Sequence, residues 1–114
     1  LERQGKLTLP VVPRDCRSNY HMFYVVIPSA TLRDRVLDEM RAAGVRAVFH
    51  YVPLHSSPMG KTYCEGLQLP VTEDMSRRLI RLPFFHDLQA DDQMRVIDCL
   101  VDAVSSKPQI GIAA

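Results

Sequence analysis

The strongest constraint on the fold is an unbroken run of six apolar residues, Met22 to Ile27, that ends at Pro28. The run is rich in β-branched and aromatic residues and is too short for an ordinary helix, so it predicts a strand buried on both faces. A helix from about residue 30 to Ala43 is predicted next, with either Ser29 or Thr31 as its cap. Its predicted buried face carries Leu32, Val36, Leu37, Met40 and Ala43.

Gly44 is predicted to end this helix, because helices often close on a left-handed residue that glycine adopts without strain. Residues 45–51 are then predicted to return as a second strand. A strand, an amphipathic helix and a strand joined by tight turns are typical of a right-handed βαβ unit, or of a split version of it.

The second half of the chain is predicted to be less regular. Residues 52–71 contain three prolines and two glycines, which indicates a long loop that is either functional or disordered. Thr72 is predicted to cap a short helix through about Leu79, residues 80–82 form a brief strand, and residues 90–104 form a final helix. The predicted buried side of that helix comprises Met94, Ile97, Leu100 and Val104. The pattern predicts an α/β fold, a two-layer sandwich with a small mixed sheet and helices on one face.

The first 20 residues are predicted to behave differently from the rest. Pro10 and Pro13 fix the backbone and remove hydrogen-bond donors, so Thr8 to Arg14 should run extended and cannot form an ordinary helix or a central strand. We therefore predict a linker over residues 1–20, a single domain over residues 21–105 and a flexible tail over residues 106–114.

Composition excludes several classes of partner. A net charge of +1 with 24% charged residues gives no surplus of Lys and Arg for binding phosphate backbones, so we expect no nucleic acid. Cys16, Cys64 and Cys99 are odd in number and lack CxxC spacing, which favours a reducing, cytoplasmic setting. No apolar run approaches the roughly 18 to 20 residues of a membrane span, so we expect no membrane partner.

Three local patterns suggest chemistry, and none meets its full requirement. Gly60-Lys61-Thr62 matches the end of a phosphate-binding loop, but the glycine required five residues earlier is replaced by His55. His50, His55 and Cys64 lack the spacing of the common zinc sites, so no metal site is predicted. A nucleophilic pair of Cys64 with His50 or His55 is conceivable from composition, but nothing in the sequence sets its geometry.

The most informative polar cluster is His50, Tyr51 and His55. His50 and Tyr51 end the predicted second strand and His55 follows Pro53, so the three rings leave the sheet edge together. A strand end that leads into a long loop is where α/β folds place ligand contacts. The alternative is that these side chains only pack and satisfy local hydrogen bonds, which is the role predicted for His21 and His86.

Several segments together resemble the carboxy-terminal domain of DegT-type sugar aminotransferases. The segments are Asn19 to Tyr24, the run Phe-His-Tyr-Val-Pro-Leu-His at 49–55, and Ser76 to Pro83. The similarity covers about residues 5–104, and the run at 49–55 is its most specific part. It implies the fold of the small domain of aspartate-aminotransferase-like enzymes.

The resemblance also implies a function for the parent enzyme. That enzyme would be a pyridoxal-phosphate-dependent homodimer that moves an amino group, usually from glutamate, onto a keto-deoxysugar attached to a nucleotide, for cell-surface polysaccharide or related sugar biosynthesis. His50, Tyr51 and His55 would bind the nucleotide-sugar. The large amino-terminal domain that holds the Schiff-base lysine is missing, so no catalytic residue is assigned, no cofactor is expected on this chain, and the chain alone should be inactive. The alternative is a stand-alone small α/β binding or regulatory module.

Overall fold

The structure, a computed structural model, describes residues 1–106. Residues 107–114 of the predicted flexible tail lie outside this range. The strands are β1 (Tyr24–Val26), β2 (Val48–Phe49) and β3 (Leu79–Arg81), and the helices are α1 (Ala30–Ala42), α2 (Pro58–Tyr63), α3 (Pro70–Arg78) and α4 (Ala90–Ser105). Short 3-10 turns lie at Glu2–Gln4 and Leu54–Ser56.

Strand β3 lies between β1 and β2 and pairs with both in the antiparallel sense. Ile80 is the register partner of Val25 on one side and of Phe49 on the other. The predicted α/β class is confirmed, and β1, α1 and β2 form the split version of the βαβ unit. The description of the sheet as mixed was wrong, because β3 separates the two strands that run parallel, and every pairing is therefore antiparallel.

One face of the sheet packs against α1 and α4 to form the core. Val25 and Ile80 contribute from the sheet and are almost fully buried. The helices contribute Val36, Leu37 and Met40 from α1, and Val96, Leu100, Ala103 and Val104 from α4. Leu100 and Val104 were predicted correctly, whereas Met94 and Ile97 are exposed, because the apolar stripe that meets α1 follows the spacing 96, 100, 103 and 104.

Helix α1 is close to its prediction. The side chain of Ser29 accepts a hydrogen bond from the backbone N–H of Leu32, so Ser29 and not Thr31 is the cap. The helix ends before Gly44, which has a φ of +77°. The second strand is much shorter than predicted, because the strand that pairs with it in residues 1–106, β3, has three residues. His50 and Tyr51 therefore follow the strand instead of belonging to it.

The prediction of a long loop over residues 52–71 was wrong. Pro58 and Pro70 each occupy the first turn of a helix, where a missing N–H costs nothing. Ser57 caps α2 by accepting a hydrogen bond from the N–H of Gly60 at 2.9 Å. Helix α3 begins at Pro70, so Thr72 lies inside its first turn and does not cap it.

Arg78 joins α3 to the sheet. Its Nη1 donates a hydrogen bond to the carbonyl oxygen of Ile27 at 3.2 Å, just after β1. The same guanidinium pairs with Asp74 one turn earlier and holds the pKa of that carboxyl below its usual value. The hydrogen bond from Arg78 to Ile27 holds the end of α3 next to the end of β1. Because β3 begins directly after α3, the same hydrogen bond positions the start of β3 beside β1.

The predicted linker takes part in the fold. The backbone N–H and C=O of Thr8 exchange hydrogen bonds of 2.9 Å with Val26, and Leu7 is buried in the core. Its role as a linker to a large domain stays a prediction.

Candidate functional site

His50 and Tyr51 line an open concavity of about 480 Å³ beside the end of β2. One wall comes from α1, and the opposite wall comes from α3. The lining residues are Arg33, Asp34, Leu37, Phe49, His50, Tyr51, Val52, Pro53, Ser56, Glu73, Ser76 and Arg77. Strand β2 stops after two residues, and residues 50–53, which follow it, line the concavity together with α1 and α3.

The side chain of His50 carries a buried polar atom without a partner. Its Nδ1 is inaccessible to solvent and has no hydrogen bond within the described part of the chain. The His50 and Tyr51 rings lie 5.0 Å apart between centroids and are tilted by 58°, while Tyr51 is 74% exposed. Buried polar atoms are normally satisfied, so His50 is unusual in enclosing an unused hydrogen-bonding group next to an accessible aromatic ring.

The charged residues of the concavity are paired. Arg33 is largely buried, and its Nε lies 2.9 Å from Oδ1 of Asp34, although the two are not aligned as a hydrogen bond. Arg77 Nη2 lies 3.7 Å from Oε2 of Glu73. Two arginines are therefore balanced by two carboxylates, and the lining offers directional donors and acceptors beside aromatic rings with no net charge from these four groups.

His55 does not lie in the same concavity as His50 and Tyr51. It lies in the 3-10 turn that follows them in the chain, and its side chain is only 8% exposed. It lines a smaller concavity of about 290 Å³ together with Lys61 and Cys64. Its Nε2 lies 2.9 Å from Oε1 of Glu73 but lacks hydrogen-bond alignment. The two side chains are therefore in contact without the alignment of a hydrogen bond.

Glu73 is the residue that sequence reasoning missed. It lies on α3, contacts both His55 and Arg77, and lines both concavities. Placing the start of α3 at Thr72 concealed the role of this first-turn position. Glu73 and Arg77 carry opposite charges and lie four positions apart, a spacing that predicts an ion pair on one face of a helix. The neighbouring residues do not indicate that this face of α3 contacts His55.

The competing chemical patterns can be compared with the geometry. Gly60 lies within α2, and a Cβ there would be 1.6 Å from the carbonyl oxygen of Leu54, so close helix packing accounts for this glycine. Cys64 shares a concavity with His55 but not with His50. Across residues 1–106, no group of three or more His, Cys, Asp and Glu side chains is placed to hold a metal ion.

Neither of the two described lysines lines the concavity of His50 and Tyr51. Lys6 donates a hydrogen bond from Nζ to Oγ of Ser105 at 2.9 Å, and Lys61 is exposed on α2. No helix in the described range is long and apolar enough to cross a membrane. The site as a whole provides hydrogen bonds and ring surfaces, which is the chemistry of ligand binding.

Comparison with known proteins adds an independent finding. The profile of the DegT/DnrJ/EryC1/StrS aminotransferase family matches residues 1–101. A dTDP-4-dehydro-2,3,6-trideoxy-D-glucose 4-aminotransferase from Saccharopolyspora spinosa is 33% identical over 100 residues, which cover 88% of this chain and 25% of that protein. A dTDP-3-amino-3,4,6-trideoxy-alpha-D-glucose transaminase from Streptomyces venezuelae is 34% identical over 95 residues, or 81% of this chain and 24% of that protein.

Solved structures agree at the level of the fold. DesV from S. venezuelae superimposes with a TM-score of 0.79 at 30% identity, over 90% of this chain and 27% of DesV. The ntda protein from Bacillus subtilis, solved with bound cofactor PMP, gives a TM-score of 0.78 at 21% identity, over 92% of this chain and 24% of that protein. The chain spans about a quarter of the length of the relatives that it matches.

Proposed function

The chain belongs to the DegT/DnrJ/EryC1/StrS aminotransferase family, and we propose that it forms the carboxy-terminal part of an enzyme that transfers an amino group to a nucleotide-linked keto-deoxysugar. Two dTDP-sugar aminotransferases among its relatives support this substrate class. Residues 49–55 also resemble the corresponding segment of the transaminase that makes dTDP-4-amino-4,6-dideoxygalactose. We propose glutamate as the amino donor and cell-surface polysaccharide synthesis as the pathway. We propose a cytoplasmic homodimer as the working form.

The cofactor of such an enzyme would be pyridoxal phosphate, and the described residues of this chain do not fit it. The group needs a buried lysine for an imine and a carboxylate beside its pyridinium nitrogen. Lys61 is exposed, and Lys6 is bonded to Ser105. We therefore place the cofactor in the remaining three quarters of the longer protein and assign this chain no catalytic residue.

The observation that carries the proposal is the concavity that contains His50 and Tyr51. A nucleotide-sugar has hydroxyl groups and flat rings, which match the imidazole of His50 and the exposed phenol ring of Tyr51 in the lining of this concavity. His55 would contribute indirectly, because its contact with Glu73 supports the turn that follows Tyr51. His50, Tyr51 and His55 together are thus proposed as the part of the sugar-nucleotide site that this chain supplies.

The exposed apolar residues favour a longer protein over a stand-alone module. An independent module is expected to have a polar exterior, whereas Phe23, Phe84 and Ile97 are each at least 40% exposed and line the same groove.

The proposal is tested in the intact protein that contains these residues, with His50→Ala and Tyr51→Phe. Loss of one polar contact costs about 1 to 3 kcal/mol, so we expect KM for the sugar-nucleotide to rise roughly 5- to 150-fold. Cofactor absorbance should be unchanged, because the cofactor lies elsewhere.

His86→Ala is the matched control, since His86 is a fully exposed histidine outside both concavities. Unchanged sugar-nucleotide kinetics in the folded His50 and Tyr51 variants would assign these residues to the scaffold instead.

A further inference from the structure

An apolar groove of about 750 Å³ lies between residues 1–9, the end of β3 and α4. Val25 and Leu100 form its buried floor, and Phe23, Phe84 and Ile97 form a rim that remains 42%, 51% and 40% exposed. None of the residues that line it lines either concavity described above. A contiguous apolar surface of this kind is typical of a docking site.

The first six residues carry the hydrogen bonds of a helix carboxy terminus. The N–H of Lys6 donates to the carbonyl oxygen of Leu1 at 3.1 Å, and the N–H of Gly5 donates to that of Glu2 at 2.8 Å. Gly5 has a φ of +66°. The outer hydrogen bond joins the first and sixth residues, and the inner one joins the second and fifth. Together with a left-handed glycine at the fifth position, this pair of bonds is the Schellman motif that ends α-helices.

This motif assigns Leu1 a helical position. In the Schellman pattern the residue whose carbonyl accepts the outer bond belongs to the last turn of the helix, four positions before the left-handed glycine. Leu1 occupies that position, and it also lines the groove and packs on the core.

We propose that the groove is the docking site of an amphipathic α-helix that continues from Leu1 in the amino-terminal direction within the longer protein. This inference rests on the proposed function, because it requires the chain to be part of a longer polypeptide. The matched residues cover only about a quarter of these relatives, so the longer protein has ample sequence for such a helix.

The position of Leu1 in the groove determines which face of the proposed helix contacts the groove. Residues three, four and seven positions apart share one face of an α-helix. Apolar residues at three, four and seven positions before Leu1 would therefore continue the apolar face that Leu1 begins and would cover Phe23, Phe84 and Ile97.

The test is an amino-terminal extension of residues 1–114 by about eleven residues, or three turns. One extension carries leucines at three, four and seven positions before Leu1, and the control has the same composition with these leucines on the opposite face. A helix this short is marginal in water by itself, so extra helical signal in circular dichroism reports docking.

We expect the in-phase extension to gain helical signal and to raise the urea midpoint by at least ~1 M, and the control to do neither. Ile97→Asp, at the exposed rim, should abolish both gains. Equal effects of the two extensions, or no effect of either, would overturn the proposal.

The competing occupant is a second copy of the chain, and sedimentation measurements address it. The in-phase chain should be monomeric at high concentration, because the helix fills the groove. Self-association of that chain that Ile97→Asp abolishes, together with no gain in helix, would assign the groove to a second copy and refute the proposal. All readouts are stability, helicity and mass, so failure of the sugar-nucleotide proposal leaves them unaffected.

Discussion

At the scale of single residues, His50 is notable because its buried Nδ1 has no hydrogen-bond partner among residues 1–106. A buried polar atom without a partner costs about 1 to 3 kcal/mol, and the Nδ1 of His50 is such an atom. Natural folds tolerate this cost mainly at functional sites. The His50 ring lines the concavity beside Tyr51 and the paired charges of α1 and α3, so the proposed ligand contact requires the ring to turn Nδ1 towards the opening.

The three thiols differ in their surroundings, and this difference predicts their reactivity. Burial raises the pKa of the Cys99 thiol, and Asp102 adds to the effect. The thiolate is the reactive form, so Cys99 should react slowly with a disulfide reagent at pH 8 while the exposed Cys16 reacts fast. In a Cys64→Ser background, reagent absorbance should show two phases, and Cys16→Ser should remove the fast one. Loss of the fast phase in Cys99→Ser instead would contradict the assignment.

The site was predictable from the sequence only as far as local pattern reaches. His50 and Tyr51 follow a short apolar strand, so their position at a sheet edge could be read from neighbouring residues. The separation of His55 from them could not, because it depends on contact with Glu73, 18 positions further along the chain. Local pattern does not encode which face of α3 meets the turn at residues 54–56.

At the scale of elements, the two shortest helices explain the largest error. Helix α2 has six residues and buries none of them, so it has no apolar periodicity to detect. Its proline and glycine resemble loop composition, yet Pro58 begins the helix and Gly60 permits contact with Leu54. Such a helix depends on capping and on one close contact, whereas α1 depends on an apolar face that the sequence displays.

The two serine caps should therefore behave differently. Ser29→Ala removes the cap of α1, which carries core residues, and should lower the free energy of global unfolding in urea by about 1 kcal/mol. Ser57→Ala should leave global unfolding nearly unchanged and speed hydrogen exchange of the amides of α2, because α2 buries nothing.

Thr31→Ala is the control for the cap of α1, because Thr31 lies inside the helix and Ser29 makes the capping bond. A loss of stability in Thr31→Ala as large as that in Ser29→Ala would show that the cap was assigned to the wrong residue.

At the scale of the whole molecule, the strand order is what the sequence conceals. The order β1, β3, β2 pairs β1 with a strand more than 50 residues further along the chain, as in the pair of Val25 with Ile80. Local propensity predicts that each strand exists and roughly where it lies, but it does not say that the last strand enters between the first two. The contact of Arg78 with the carbonyl of Ile27 helps select this arrangement.

The lysines of this chain also lead to a prediction for residues 1–114 alone, which concerns binding of pyridoxal phosphate and amino transfer. Imine formation with a pyridoxal aldehyde needs a lysine whose charged form is destabilised by burial, whereas Lys61 is exposed and Lys6 is bonded to Ser105. After incubation with pyridoxal phosphate and removal of excess, the purified chain should show no imine absorbance band and no amino transfer from glutamate. Borohydride reduction followed by mass spectrometry checks for a trapped adduct. A stable band that disappears in Lys61→Ala but persists in Lys6→Ala would show that this chain holds the cofactor itself and would contradict the assignment of the cofactor to the rest of the enzyme.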